Sequence, residues 1–168
     1  MIVRILSIED AEAHHKLRLT GLLESPDSFG AAHEDEVGFT VSQQQARILA
    51  SDSNFTVGAF EGDGLLVGIA TFRRQTGTKS RHKSNIYGMY VDPDYRGKGV
   101  GKAIIEFLLQ EAKKFPGLEQ IQLGINSTNE PARRLYSSFG FQSYGYEKNA
   151  AKYGGRYFDE EYMVLNLN

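Results

Sequence analysis

The sequence predicts a mixed α+β fold in which helices flank a mostly antiparallel sheet, with the element order βααβββαβαββ. Apolar segments that alternate like strands are interspersed with segments that have the three- and four-residue spacing of helices. Three strand-like segments follow one another over 54–91, which predicts an antiparallel meander. A strand, a helix and another strand then occupy 84–125, and such a connection is a right-handed parallel crossover. The sheet is therefore expected to be mixed.

The first part of the chain is expected to form one strand, two helices and the meander. Residues 2–6 are a short apolar strand, and Ser7 then caps a helix over 8–24. The segment SPDSFG ends this helix, and Thr40 caps a second one that runs to about residue 50. The turn EGDG joins the first two strands of the meander into a hairpin. The three strands are expected at 54–60, 65–73 and 84–91.

The second part is expected to contain two more helices and three more strands. A long helix over 99–115 has its apolar residues at helical spacing, and Pro116 marks its end. Asn129 caps a further helix, and Gly140 stops that helix after residue 139. The last two strands flank the turn AAKYGG. The three strands are expected at 118–125, 141–148 and 156–167.

The composition is typical of one soluble domain spanning residues 1–168. Hydrophobic residues make up 40% and charged residues 24%. No run of about 18 apolar residues is present, and the first ten residues lack the pattern of a signal peptide, so no membrane partner is expected and the cytoplasm is the default location. Cysteine is absent, which excludes disulfides and thiolate metal sites. No metal is expected, since the acidic cluster after His33 has no second histidine at ligand spacing and is predicted to be a solvated loop.

The charges are unevenly distributed along the chain. The net charge of −2 argues against a nucleic-acid partner. Residues 1–60 contain nine acidic and four basic residues, whereas residues 71–115 contain ten basic and four acidic ones. Two interpretations stay open. The charges are scattered over the surface, or an anionic ligand binds near the middle of the chain and a cationic one near its first third.

A glycine-rich turn before the long helix has the features of a phosphate site. The first N–H groups of a helix have no partner within it, and the helix dipole favours negative charge there. A Walker A loop would need Ser or Thr after Lys102, where Ala103 stands, and the dinucleotide fingerprint G-x-G-x-x-G is not matched either. The turn contains three glycines and three basic residues, which are Gly97, Gly99, Gly101, Arg96, Lys98 and Lys102.

Two motifs together carry a resemblance to a known family. The turn fits R/Q-x-x-G-x-G/A over 96–101, and N-x-x-A-x-x-L-Y-x-x-x-G-F is found over 129–141. The chain thus resembles the GCN5-related N-acetyltransferases (GNAT), by motif over about 84–141 and by element order throughout. The resemblance implies an N-acetyltransferase that moves the acetyl group of acetyl-CoA to a primary amine of a small molecule, peptide or protein by direct attack in a ternary complex. It also implies a V-shaped cleft between the fourth and fifth strands.

The resemblance assigns roles to individual residues. The backbone of the strand over 84–91 would bind the pantetheine arm and polarise the acetyl carbonyl. Asn129 would reach the pantetheine or the acetyl end, and Arg133 and Arg134 would approach the phosphates. Tyr136 would be the general acid that protonates the leaving thiolate. The expected cofactor-binding residues are Met89, Tyr90, Val91, Arg96, Gly97, Lys98, Gly99, Val100, Gly101, Lys102, Asn129 and Arg133.

The group that removes the proton of the acceptor amine is left open. An alkylamine with a pKa of about 10.4 is almost entirely protonated at neutral pH. Many members of the family place a glutamate on the strand before the turn, but the segment SNIYGMYV contains no carboxylate. The alternatives are Tyr87, a water chain to a more distant acid and, less favoured, His82 in its basic loop.

The resemblance places the acceptor site between the loop over 25–39 and the turn over 149–156. Acids beside aromatic rings suit a cationic amine through charge and cation–π contact. The alternative is that the acids face solvent and the tyrosines pack against the sheet. The residues concerned are Ser25, Asp27, Phe29, Glu34, Asp35, Glu36, Tyr144, Tyr146, Tyr153 and Tyr157.

Two other functions remain as alternatives. An acetyl-CoA-binding sensor without catalysis is consistent with the missing strand carboxylate, although the motif around Tyr136 argues against it. A domain that binds ATP through the glycine turn is disfavoured by the failed Walker pattern. The oligomeric state stays open, with a homodimer among the alternatives because dimers are common among chains that resemble this one.

Overall fold

A computed structural model describes residues 1–167 and shows a seven-stranded sheet with helices on both faces. The strands follow the order β1-β2-β3-β4-β5-β7-β6, and only β4 and β5 pair in parallel. The predicted mixed fold is therefore confirmed, with α2 as one additional helical turn. The strands are β1 (Ile2–Ile5), β2 (Asn54–Glu61), β3 (Leu65–Arg74), β4 (Lys83–Val91), β5 (Gln120–Asn126), β6 (Gln142–Tyr153) and β7 (Arg156–Asn166). The helices are α1 (Ala11–Glu24), α2 (His33–Glu36), α3 (Val41–Ile48), α4 (Val100–Ala112) and α5 (Glu130–Ser138).

Two apolar clusters join the helices to the two faces of the sheet. On one face, Ile104 and Leu108 of α4 are fully buried in a cluster that includes Phe72 of β3. On the other face, Leu17 of α1 and Ile48 of α3 pack with residues of β3 and β4. The burial of α4 follows from its apolar residues recurring every three or four positions. Within residues 1–167, no helix has the length and apolar character needed to span a membrane.

The ends of several helices follow the expected capping chemistry. The side-chain oxygens of Thr40 and Asn129 accept hydrogen bonds from N–H groups three residues further on, at 3.3 and 3.1 Å. The start of the first helix differs from the expectation. Ile8–Asp10 form a 3-10 turn, and α1 begins only at Ala11. The Ser7 N–H donates to the Asp10 carboxylate at 2.8 Å, which closes that turn.

The last hairpin is longer than the sequence predicted. β6 continues to Tyr153, so the expected strand end at 148 and the six-residue turn AAKYGG are wrong. The pairing shifts register between Glu147 and Ala151, where Asn149 has a φ of 56°. The Asp159 carboxylate accepts the Asn149 N–H at 2.7 Å. This bond stabilises the bulge, so the ladder resumes beyond it and the turn shrinks to two glycines.

β4 and β5 pair only over their first three residues. The last pair is Asn85 with Gln122, after which β4 stays paired with β3 and β5 stays paired with β7. β4 carries a bulge at Gly88, whose φ of 59° favours glycine. The two strands therefore separate, and the predicted cleft between the fourth and fifth strands is confirmed.

The acidic cluster after His33 is not the solvated loop that the sequence predicted. It forms α2, and Glu36 is only 2% exposed. Arg18 donates to its two oxygens at 2.7 and 2.8 Å, and Nη1 of Arg47 lies 2.9 Å from both. Burial raises the pKa of Glu36, but the two guanidinium groups outweigh it and the pKa is lowered overall. The cluster of Arg18, Glu36 and Arg47 joins α1, α2 and α3.

Replacing Glu36 by Gln is expected to destabilise the protein by about 3 kcal/mol, because it leaves two facing guanidinium groups without a countercharge. The measurement is urea denaturation of wild type and variant. Glu34→Gln is the matched control, since Glu34 is exposed and accepts a hydrogen bond from Tyr153 at 3.0 Å. Equal stability of the two variants would contradict a structural role for the buried cluster.

Candidate functional site

A cavity of about 670 Å³ lies where β4 and β5 separate. His14 and Arg18 of α1 and Arg47 of α3 line one end of it, and Ala132 and Tyr136 of α5 line the other. α1 and α3 pack on one face of the sheet, whereas Tyr136 belongs to the cluster on the other face. The cavity therefore passes through the sheet, and groups from both helical layers meet in it.

The edge of β4 that faces the gap offers unpaired backbone groups. The Asp92 N–H donates to β3 at 2.9 Å. Successive residues of a strand turn their N–H and C=O groups to opposite sides. The backbone N–H and C=O groups of Tyr90 therefore point towards β3, with which Tyr90 pairs. The side chain of Tyr90 is buried under α1. By the same alternation, the N–H groups of Met89 and Val91 point away from β3, into the gap.

The glycine turn leaves a row of N–H groups without partners. Gly97 and Gly99 have φ values of 74° and 83°, and Gly99 is the N-cap of α4. Within residues 1–167, the N–H groups of 98–102 have no hydrogen-bond acceptor outside the helix, and a first helical turn offers none inside it. A Cβ atom on Gly101 would lie 3.3 Å from Cε of Met89, so α4 begins directly beside the end of β4. The turn thus has the geometry of an anion site.

Arg96 anchors this turn to α1. Its Nη1 and Nη2 donate to Glu24 at 3.1 and 2.7 Å, and its Nε donates to the Val91 carbonyl at 2.9 Å. The hydrogen bonds from Arg96 lower the pKa of Glu24 to about 2. Because Glu24 neutralises Arg96, the net positive charge of the turn comes from Lys98 and Lys102, both exposed.

The expected residues of α5 divide into two groups. Asn129 lines the cavity while its Oδ1 caps the helix. Arg133 instead pairs with Glu161 and Glu130, and it donates to the Ser127 carbonyl at 2.7 Å. Its guanidinium is thus committed to ion pairs that hold α5 against β7. Met89, Asn129 and Tyr136 are the expected residues that line the cavity itself.

Tyr136 lines the cavity and has a buried ring. The residue is 4% exposed, and its ring packs edge-on against Phe141 with centroids 5.5 Å apart. The hydroxyl makes no hydrogen bond to any group in the described part of the chain. Burial raises the pKa of Tyr136. The hydroxyl is therefore protonated at neutral pH and available as a donor.

The groups considered for proton removal lie in different places. Tyr87 lines the cavity and is 53% exposed, whereas His82 precedes β4 and lies outside it. Glu160 of β7, which sequence reasoning missed, also lines the cavity. Its carboxyl carbon lies 2.8 Å from where a Cβ atom on Gly124 would be. Burial raises the pKa of Glu160, as does the charge of Glu147, whereas the Tyr162 hydroxyl 3.3 Å away lowers it.

The acceptor residues expected from the loop and the last turn are only partly in the cavity. Asp27 and Phe29 line it, and Glu34 instead accepts a hydrogen bond from Tyr153 at the surface. Arg18, Arg47 and Arg73, which the sequence did not single out, also line the cavity. Strand alternation puts 158, 160 and 162 on one face, but only the register against β5 shows that this face meets the cavity. No three metal-ligating side chains in residues 1–167 are arranged to hold an ion.

Two curated proteins illustrate what the chain is similar to in sequence. The L-amino acid N-acyltransferase MnaT of Escherichia coli K12 is 29% identical over 124 residues, which are 74% of this chain and 70% of that protein. The N-alpha-acetyltransferase RimI of Mycobacterium tuberculosis is 35% identical over 109 residues, which are 65% of each chain. The similarity thus spans somewhat less than two thirds of the second protein.

Solved structures and a family model identify the fold. An acetyltransferase of the GNAT family from Streptococcus pneumoniae superposes with a TM-score of 0.88 at 22% identity, covering 99% of both chains. An acetyltransferase from Salmonella typhimurium, solved with its cofactor acetyl-CoA, has a TM-score of 0.82 at 22% identity and covers 100% of this chain and 94% of its own. The model of the acetyltransferase (GNAT) family matches residues 20–141. The cleft, the glycine turn and these similarities lead to one conclusion, that this chain belongs to the GNAT family of acetyltransferases.

Proposed function

We propose that the protein transfers the acetyl group of acetyl-CoA to a primary amine, by direct attack of the amine on the thioester in a ternary complex. The observation that carries the proposal is the cavity that crosses the sheet where β4 and β5 separate. It allows a donor held near α4 and α5 and an acceptor held near α1 to meet. The Salmonella relative was solved with acetyl-CoA, and similar proteins are named for L-amino acids and for N-terminal amines.

The glycine turn and the β4 edge are the groups that would hold acetyl-CoA, which supplies the activated acetyl thioester. The free N–H groups of 98–102 suit the diphosphate, with Lys98 and Lys102 as countercharges. The unpaired N–H groups of Met89 and Val91 suit the amide groups of the pantetheine arm, as in the addition of a strand to an exposed edge. One of them also polarises the acetyl carbonyl and stabilises the charge that develops on its oxygen.

Tyr136 is assigned the role of general acid. When the C–N bond forms and the C–S bond breaks, sulfur leaves as a thiolate whose ordinary pKa is about 8.5. Burial raises the pKa of the CoA thiol as well as that of the tyrosine hydroxyl, so the thiolate is also a better proton acceptor in the buried site. A buried tyrosine with a free hydroxyl can therefore donate its proton to sulfur in the same environment.

Glu160 is assigned the role of general base, which the sequence left open. It presents a carboxylate to the acceptor end of the cavity, and its raised pKa makes it a stronger base than an exposed glutamate. The nearby Asp159 is less suited, because its two oxygens accept hydrogen bonds from Asn149 and Tyr146. Glu160 takes a proton from the bound ammonium, so that the neutral amine can attack the thioester. The nitrogen loses its second proton as the amide forms, Tyr136 gives its proton to sulfur, and solvent returns a proton to the tyrosine.

The proposed activity is tested with a panel of amines, acetyl-CoA and an assay for free CoA thiol. We expect CoA release that depends on the amine, and we expect acetyl-CoA to raise the melting temperature of the protein more than ATP does. No release with any amine, together with stabilisation by acetyl-CoA, would instead indicate a sensor. Stabilisation by ATP alone would indicate a nucleotide-binding domain.

Tyr136→Phe is expected to lower kcat about 100-fold, because it removes the proton donor for sulfur but not the ring that packs on Phe141. The affinity for acetyl-CoA, measured by calorimetry, should change little. Tyr95→Phe, which removes a hydroxyl from a tyrosine outside the cavity, is the control. Unchanged turnover in Tyr136→Phe would remove this residue from the mechanism.

Glu160→Gln is expected to lower kcat about 100-fold, because the amide cannot accept the proton. In the wild type, kcat should rise with pH through the raised pKa of Glu160, since only the ionised carboxylate is a base. The pH profile of the variant should lack this rise in kcat, but it should keep any rise that is caused by deprotonation of the bound amine. Glu119→Gln, at an exposed glutamate outside the cavity, is the control. A pH profile of Glu160→Gln that matches the wild type would reject the assignment.

A further inference from the structure

One end of the cavity has a wall of positive charge that the proposed chemistry does not use. Arg18, Arg47 and Arg73 all line the cavity. Within residues 1–167, Glu36 is the single carboxylate bonded to Arg18 and Arg47, so one negative charge faces two guanidinium groups. Arg73 is exposed and forms no ion pair within residues 1–167. The wall thus has an excess of positive charge even though part of it is buried.

Arg18 is held rigidly, and part of its guanidinium is left unused. Its Nε and Nη2 donate to Glu36, whereas Nη1 has no hydrogen-bond partner in the described part of the chain. The side chain is 13% exposed and lies over the Phe29 ring at 5.4 Å. A Cβ atom on Gly88 would lie 2.8 Å from Nη1, so this group lies directly beside the bulge of β4. The free donor therefore sits at the edge of the cleft.

His14 and three carboxylates also line the cavity. His14, beside Arg18 in the cavity, is buried, and burial together with Arg18 and Arg47 lowers its pKa to about 3, so the ring is neutral. The acidic side chains of the cavity come from other segments, namely Asp27 in the loop after α1 and Asp159 and Glu160 on β7. Within residues 1–167, none of these three carboxylates forms an ion pair with the cationic wall.

We propose that the cationic wall binds a carboxylate of the acceptor, so that the acceptor is a small zwitterion of the amino-acid class. The carboxylate would accept hydrogen bonds from the free Nη1 of Arg18 and from the guanidinium of Arg73. Guanidinium groups prefer planar anions of this kind. The amine of the same molecule would then face Glu160. A polyamine would be repelled by the arginines, and an N-terminal amine of a protein would bring no carboxylate to them.

This inference rests on the proposed function and adds the substrate class to it. The test compares free L-amino acids with the amides of the same amino acids and with short peptides that begin with them. The readout is kcat/KM per neutral amine, because the carboxylate also changes the pKa of the amine. We expect the wild type to prefer free amino acids by about 10- to 100-fold, which is the range for a charged hydrogen bond.

Arg73→Met should remove most of this preference by raising KM for the amino acids, while kcat/KM for the amides stays nearly unchanged. Arg73 carries no structural ion pair, so the variant is expected to fold. Arg18→Met is the second variant, and circular dichroism will show whether the fold survives the loss of its bonds to Glu36. Arg81→Met, at an exposed arginine outside the cavity, is the control.

Equal use of amides or peptides and free amino acids by the wild type would overturn the inference and leave the proposed function intact. An equal loss of activity towards acids and amides in Arg73→Met would also overturn it. The absence of CoA release with every amine would have a different meaning, because it would reject the acetyl transfer itself.

Discussion

The separation of β4 from β5 after Asn85 is the constraint on which the rest of the site depends. Each strand keeps a partner on its other side, β4 through the pairs that end at Val91 and β5 through the pairs that end at Asn126. The two facing edges are left with backbone groups that no strand satisfies, and unpaired backbone groups inside a protein are costly unless a ligand or water binds them. A split sheet of this kind is therefore stable as a binding cleft and would be a defect otherwise.

Helix α1 supports both ends of that cleft through two ion pairs. Glu24 near its end holds Arg96 of the glycine turn, and Arg18 holds Glu36 of α2. The two positions are six residues apart, about 9 Å along a helix axis. A displacement of α1 would move the turn and the cationic wall together, so one helix fixes the distance between the proposed donor and acceptor sites. Arg96, which is expected to bind phosphate, contributes to this arrangement through its ion pair with Glu24.

The sequence predicted those features whose cause is local. The alternation of apolar residues, the helix caps and the helical spacing predicted the element order, and two motifs predicted the family. The errors concern residues whose state depends on distant partners. Glu36 is buried because Arg18 and Arg47, 18 and 11 residues away, neutralise it. β6 continues past 148 because Asp159 supports the bulge at Asn149. Glu160 reaches the cavity only through the register of β7 on β5, which no local pattern encodes.

The proposed acid and base lie on opposite sides of the sheet, and this separation has a chemical consequence. Tyr136 belongs to the layer of α4 and α5, whereas Glu160 extends over Gly124 towards the layer of α1. Burial raises the pKa of both, which keeps the phenol protonated and makes the carboxylate a better proton acceptor. In the proposed reaction nitrogen and sulfur are bonded to the same carbon, so the base would reach that carbon from one face of the sheet and the acid from the other.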